Sequence, residues 1–266
     1  MDAINLSDRE FRQFQGMIHN VAGIHMTDVK KALVGGRLAK RLKQRGLASY
    51  GDYFNLVSQE KDEFQIAVDL LTTNETFFFR EPKHFDRLRD QIIPELHGAR
   101  EFRVWSAASS SGEEAYSIAM TLAETLGDKG WRVLGSDLST KVLQQARSGH
   151  YTLKEAEDIP RAYLTKYCLK GVGPQDGTML VSRALRERVE FRQINLNADL
   201  PRLGEFDVIF LRNVMIYFDL ETKRKVVQRM LPMLRQGGYF IVSHSESLNG
   251  ITDALKLVTP SVYHKP

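Results

Sequence analysis

The chain has 266 residues, 42% of them hydrophobic and 26% charged, with 37 Lys and Arg against 33 Asp and Glu. Such a composition supports a sizeable core and about two domains, and it sets aside a disordered chain. The formal charge of +4 matters only where it gathers on one face, and no stretch nears the ~20 apolar residues of a bilayer span. Asp2, Asp8, Arg9, Glu10 and Arg12 are out of place in a secretory signal, so a cytoplasmic protein is expected. The single cysteine, Cys168, excludes an intramolecular disulfide and a cysteine-rich zinc site, and reads as a small hydrophobe.

Ser7-Asp8-Arg9-Glu10 is a capping box, and Phe11, Phe14, Ile18 and Val21 follow at helical spacing before Gly23 stops the segment. A second helix is predicted from Thr27 or Asp28 to about Arg45, with Gly46 as its stop. Between Lys30 and Arg45 lie seven basic residues and no acid, and Lys30, Arg37, Arg41 and Arg45 recur at spacings of seven, four and four. That spacing aligns them along one stripe, which reads either as a solvated face or as a landing surface for an acidic macromolecule. Helices at about 50–58 and 60–71 precede a stretch, 72–82, in which polar residues flank three phenylalanines. It reads as a linker pressed against a surface, with Pro82 in the first turn of the next helix and Pro94 ending it.

From residue 102 the pattern alternates. Strands are predicted at 102–106, 131–136, 188–194, 206–211 and 238–243, helices at 113–126, 139–147 and 220–235, and a closing strand at 255–264. This means a mostly parallel sheet with helices on both faces. Gly171, Gly173, Pro174, Asp176 and Gly177 ahead of Met179-Leu180-Val181 signal a small antiparallel insertion at about 167–188.

Ligands of open α/β sheets lie beyond the carboxyl ends of the strands. The first junction is the small-residue loop Ser106–Gly112 and the acidic helix start Glu113-Glu114; the second strand ends on Asp137, 24 residues after Glu113. An acid there suits ribose hydroxyls. The loop has one glycine, and its two carboxylates stand where a phosphate wants the bare positive end of a helix. A nicotinamide dinucleotide is therefore a poor fit, whereas S-adenosylmethionine, with an ammonium and a sulfonium, is a good one. The third junction offers Asn195-Leu196-Asn197, with an amide for an adenine edge, and the fourth offers Arg212-Asn213 through Tyr217-Phe218.

Leu71 through Glu81, Val104 through Ser117 and Arg212-Asn213-Val214-Met215-Ile216-Tyr217-Phe218 together resemble the chemoreceptor glutamate methyltransferases of the CheR type, over essentially the whole chain. The resemblance implies a Rossmann-like class I S-adenosylmethionine-dependent methyltransferase core at 79–266, with its antiparallel β insertion, behind an all-α receptor-docking domain at 1–78. It implies methyl transfer to glutamates on the coiled-coil region of bacterial chemoreceptors. Cofactor contacts are implied at Asn74, Thr76, Arg80, Glu113, Glu114, Asp137, Asn195, Leu196, Arg212 and Asn213, with Tyr217 near the transferred methyl and Arg80 beside it as the catalytic pair. The basic stripe Lys30, Arg37, Arg41 and Arg45 is expected to dock the receptor, and in some members the insertion captures a receptor tail peptide.

A glutamate carboxylate is ionised at pH 7, so attack on a sulfonium methyl needs neither a base nor a metal. The seven histidines are scattered without ligand spacing; His244 alone, in Ser243-His244-Ser245-Glu246, draws attention. The junction Arg212-Asn213-Val214-Met215 lacks the Asn-Pro-Pro-Tyr-like turn of many nitrogen methyltransferases, and its donors suit an anionic oxygen acceptor. A nucleic-acid methyltransferase docking through the basic helix is the alternative. No nucleic-acid partner, no membrane insertion and a monomer are expected.

Overall fold

The computed structural model describes residues 4–266. Helix α1 (Asp8–Ala22) begins as the capping box requires: Ser7 Oγ accepts from the Glu10 amide while the Glu10 side chain accepts from the Ser7 amide. Gly23 closes it in the left-handed region at φ 69. Next come α2 (Lys31–Gln44), preceded by a single 3₁₀ turn at Asp28–Lys30, then α3 (Tyr50–Gln59) and α4 (Lys61–Leu71). Phe14, Ile18, Leu38, Tyr53 and Ala67 bury their apolar faces in one core shared by these four helices.

After the linker, α5 (Lys83–Arg87) runs through one π turn (Leu88–Ile92) into α6 (Ile93–Leu96). Pro94 therefore does not end this segment. It lies within the continuous run just after the π turn, whose wider register accommodates the proline ring and its missing N–H. The remaining elements are β1 (Phe102–Ser106), α7 (Glu113–Leu126), β2 (Trp131–Asp137), α8 (Thr140–Ser148), β3 (His150–Thr152), α9 (Arg161–Tyr167), β4 (Cys168–Lys170) and β5 (Thr178–Val181). They are followed by α10 (Arg183–Arg186), β6 (Val189–Gln193), β7 (Phe206–Phe210), α11 (Leu220–Met230), β8 (Leu234–Ile241), β9 (Lys256–Thr259) and β10 (Val262–His264).

The main sheet has the order β6-β2-β1-β7-β8-β10-β9, parallel from β6 to β8, with β10 antiparallel to both its neighbours, β8 and β9. The predicted closing strand is thus two strands folded into a hairpin. Helix α11 also stops earlier than its periodicity suggests, because Pro232 follows it and β8 begins at Leu234. Alternation along the strands splits the core: Val104, Val208 and Ile241 face α7 and α8, while Trp105, Ile209 and Phe240 face α11. The insertion is a three-stranded antiparallel sheet, β3-β5-β4. Its first strand lies outside 167–188, since three residues whose partner is β5 leave no local pattern. Among the described residues no helix is long and apolar enough to cross a membrane.

Candidate active site

The order of the sheet reverses between β1 and β7, so their carboxyl ends diverge and leave a crevice. The loop after β1 is held open by backbone bonds: Ala107 N–H donates to Phe210 O (2.9 Å) and Ser109 N–H to Ser136 O (2.8 Å). Gly112 ends the loop at φ 100, where an added Cβ would stand 2.9 Å from both Ala146 Cβ and the Tyr151 hydroxyl oxygen. Only glycine fits there.

Asp137 accepts from the Ser110 amide through Oδ2 and from the Ser139 amide through Oδ1, each at 2.9 Å. One carboxylate therefore fixes both loops, and each oxygen keeps a second lone pair for a ligand hydroxyl. Burial raises its pKa, against the amide bonds that lower it. Glu114 reaches the same pocket, accepting from Ser106 Oγ (2.7 Å) and from Arg212 Nη1 (2.9 Å). Burial pushes its carboxyl up while the Arg212 guanidinium pulls it down. Glu113 turns the other way and does not line the pocket: it is buried on Ser111 Oγ, and desolvation lifts it to about 7. Helix geometry forces this choice, since consecutive residues point about 100° apart.

Asn74, Thr76, Arg80, Asn195, Leu196, Arg212, Asn213 and Tyr217 all line the crevice with Asp137 and Glu114. Asn195 and Arg212 among them also bond within the protein. Asn195 Nδ2 donates to Val21 O (2.7 Å) and its Oδ1 accepts from the Asn197 amide (2.9 Å). Its side chain thus ties the two domains together with one N–H, and its second N–H has no partner among the described residues. Arg212 is buried, and its guanidinium is committed to Glu114, to Glu81 Oε2 (3.2 Å) and to the Arg80 carbonyl. It orders the pocket, and its buried Nε is left without a hydrogen-bond partner among the described residues. Further donors stand in the crevice: Arg80 spends one N–H on Glu75 O (3.0 Å), and among the described residues the Asn213 side-chain amide and the Tyr217 hydroxyl have no hydrogen-bond partner, the Asn213 backbone N–H donating to Glu246 Oε2 (3.0 Å).

The predicted docking stripe also resolves differently. Arg37 Nη1 donates to Leu71 O and Thr72 O and its Nη2 to Thr73 Oγ1, pinning the linker. Arg41 makes a two-pronged pair with the buried Glu63 (2.7 and 2.6 Å), and Arg45 bonds Glu60 (2.7 Å). An acid-free stretch of sequence is not an acid-free surface, because α4 and Glu60 just before it supply the carboxylates. Lys30 alone of the four is exposed and without an ion pair among the described residues.

Several lining residues carry no sequence signal. Ala22 and Ile24 come from the helical domain, where Ile24 bridges Phe218 and the His25 amide donates to Tyr217 O (2.7 Å). Leu138 and Ile194, each at a strand end, give the pocket apolar walls; the apolar residue after Asp137 was the available hint. Cys168 is half-buried and its thiol is pushed up to about 12 by desolvation, so it is inert.

A seven-stranded sheet of this order, with an acid closing β2 and carboxylates but no glycine-rich phosphate loop at the first helix, defines a Rossmann-like S-adenosylmethionine-dependent methyltransferase. The chain matches the family models described as CheR methyltransferase, SAM binding domain, over residues 74–263, and CheR methyltransferase, all-alpha domain, over residues 9–72. It belongs to the CheR methyltransferase family. It is 42% identical over 267 residues to the chemotaxis protein methyltransferase of Escherichia coli (strain K12), covering 98% of this chain and 92% of that one. It is 42% identical to chemotaxis protein methyltransferase 2 of Pseudomonas aeruginosa, covering 96% and 92%, and 41% identical to the Salmonella typhimurium protein, covering 97% and 90%.

Proposed function

We infer that this chain transfers a methyl group from S-adenosylmethionine to glutamate side chains on bacterial chemoreceptors, giving methyl esters and S-adenosylhomocysteine. The observation that carries this reading is the composition of the crevice: its lining holds no histidine, lysine or cysteine, and of its three carboxylates Asp137 and Glu114 are already bonded to protein donors, which leaves the exposed Glu75. An acceptor that arrives with a proton would have only that solvent-exposed carboxylate as a base. A glutamate carboxylate, with an ordinary pKa of about 4.3, arrives without a proton.

The donor set fits the cofactor. Asp137 stands ready for two hydroxyls, Leu138, Ile194 and Leu196 offer an apolar slot, and Glu114 complements positive charge. When bound, S-adenosylmethionine supplies a methyl activated by its sulfonium. The chain's own residues then do the positioning: Arg80, Asn213 and Tyr217 present donors to anionic oxygens, and the Ala22–Ile24 turn closes the crevice against water. Orientation and desolvation of the carboxylate account for the rate.

Docking belongs to the helical domain, residues 1–78, through a face shifted from the predicted one. Leu33, Gly36, Lys40 and Lys43 are all exposed on α2 at spacings of three, four and three. A Cβ at Gly36 would meet nothing within 4 Å, so a partner helix can approach closely. Heptad-like spacing suits a coiled coil, and the lysines suit its glutamates. The outer strand of the insertion, β4, leaves an edge beside exposed Leu169 and Val172, which supports strand addition by a receptor tail. In this reading the chain works as a cytoplasmic monomer.

The test is transfer of labelled methyl from S-adenosylmethionine to a purified chemoreceptor fragment. Label released by mild base as methanol is expected. Base-stable label would overturn the ester. Tyr217→Phe should reduce turnover at least tenfold with normal cofactor affinity; unchanged turnover would remove its hydroxyl from the reacting centre.

A further inference from the structure

Outside the crevice, one cluster of metal-ligating side chains is formed among the described residues, by Glu81, His84 and His244. Its members lie up to 163 residues apart in the chain. His84 is 2% exposed, yet neither of its ring nitrogens has a hydrogen-bond partner. A buried imidazole without partners is costly and calls for an explanation. Its Nδ1 stands 3.4 Å from Glu81 Oε2, and His244 Nε2 stands 3.9 Å from that same oxygen. The two rings are 4.8 Å apart between centroids.

These separations are close to those of a coordination shell. Ligand atoms at about 2.0–2.1 Å from a tetrahedral zinc ion lie roughly 3.3 Å from one another. The Glu81–His84 pair already has that spacing, and His244, with 49% of its side chain exposed, is free to swing in. Glu81 is held in the left-handed region at φ 59, a conformation a non-glycine residue adopts at a cost. An open pocket lined by Lys83, His84, Arg87 and His244 on one side and by Thr259 and Pro260 on another leads solvent to the cluster.

We propose that Glu81, His84 and His244 bind a divalent cation of the zinc type, with water completing its shell, and that occupancy weakens cofactor binding. The coupling follows from one shared atom. Glu81 Oε2 also pairs with Arg212 at 3.2 Å, and Arg212 holds Glu114 in the crevice at 2.9 Å. A cation that takes this oxygen removes one of the two anions around Arg212 and adds positive charge beside it. The guanidinium is displaced and Glu114 loses its orientation. This coupling rests on the cofactor pocket alone and is independent of which acceptor is methylated.

The experiment is calorimetric titration of the metal-free full chain with zinc chloride, repeated with cobalt(II) to read its visible absorption. Uptake of one ion per chain with the intense absorption of tetrahedral cobalt is expected. His244→Ala, a change at a half-exposed loop side chain, should weaken the affinity at least tenfold, while His97→Ala, at an exposed histidine elsewhere, should not. Absence of saturable one-to-one uptake, or equal affinity in His244→Ala, would overturn the site. Zinc should also raise the dissociation constant for S-adenosylhomocysteine at least threefold in the parent chain, reversed by chelator, and leave that of His244→Ala unchanged. Equal dissociation constants with and without zinc would overturn the coupling.

Discussion

Glu113 is 3% exposed, and its carboxylate accepts from Ser111 Oγ at 2.9 and 2.8 Å. Desolvation raises it from 4.5 to about 7, so the folded chain binds more protons than the unfolded one between those values. The associated stability is complete below about pH 4.5 and is lost as pH rises through about 7, by roughly 3 kcal/mol in all. Glu113→Gln should therefore unfold at higher denaturant concentration than the parent at pH 8 and match it at pH 4; a pH-independent difference would show that Glu113 stays ionised. Asp137 carries the opposite kind of expectation, for binding. Losing hydrogen bonds to a charged group is worth about 1.5–3 kcal/mol, so Asp137→Ala should weaken S-adenosylhomocysteine binding by about ten- to a hundredfold in calorimetry. Unchanged affinity in a folded variant would remove Asp137 from the cofactor site.

Helix α2 separates two kinds of basic residue by face. Arg41 holds Glu63, whose side chain is 2% exposed and which also accepts from the Tyr53 hydroxyl at 2.9 Å. Removing Arg41 leaves the buried Glu63 with the Tyr53 hydroxyl and with Arg45 Nε at 3.6 Å, at a cost of about 1–3 kcal/mol. Arg41→Ala should accordingly lower the melting temperature by several degrees. Lys40 and Lys43 are exposed, and an exposed pair contributes only about 0.2–1 kcal/mol. The double change of Lys40 and Lys43 to Glu should leave the melt alone and raise the apparent KM for receptor, and added salt should mimic it. A double variant with parental KM at low salt would move docking to another surface.

The two domains share one site. Asn195 bonds Val21 O, Asn197 Nδ2 bonds Asn20 O (3.3 Å), His19 pairs with Asp219 (3.0 Å), and Ile24 bridges Phe218. Hydrogen bonding to His19, then to Thr222, holds the Asp219 carboxyl well below the usual range. Because Ala22 and Ile24 line the crevice, ligand binding should stabilise both domains at once. At a hundred times its dissociation constant a ligand contributes about 2.7 kcal/mol. S-adenosylhomocysteine should therefore slow amide exchange at Gly23 and His25 as well as at Ser110 and Ser139. Protection confined to residues beyond 73 would show that the helical domain moves independently of the cofactor.

Local pattern was enough for much of this protein. The capping box at Ser7 and Glu10, the alternation of strands and helices, and the acid closing β2 all depend on residues near one another in the chain, and they place the crevice at the strand ends. The motifs around Asn74, Gly112 and Arg212 carry the family resemblance for the same reason. Tertiary structure decided what each side chain faces. Periodicity puts Arg37, Arg41 and Arg45 on one stripe, but only the packing of α4 against α2 brings Glu60 and Glu63 to meet them. It likewise turned Asn195 toward α1, committed Arg212 to two acids, and brought His84 beside His244. A sequence period fixes a direction relative to its own helix or strand; the partner in that direction is supplied by a segment tens to hundreds of residues away, through burial that no local window records.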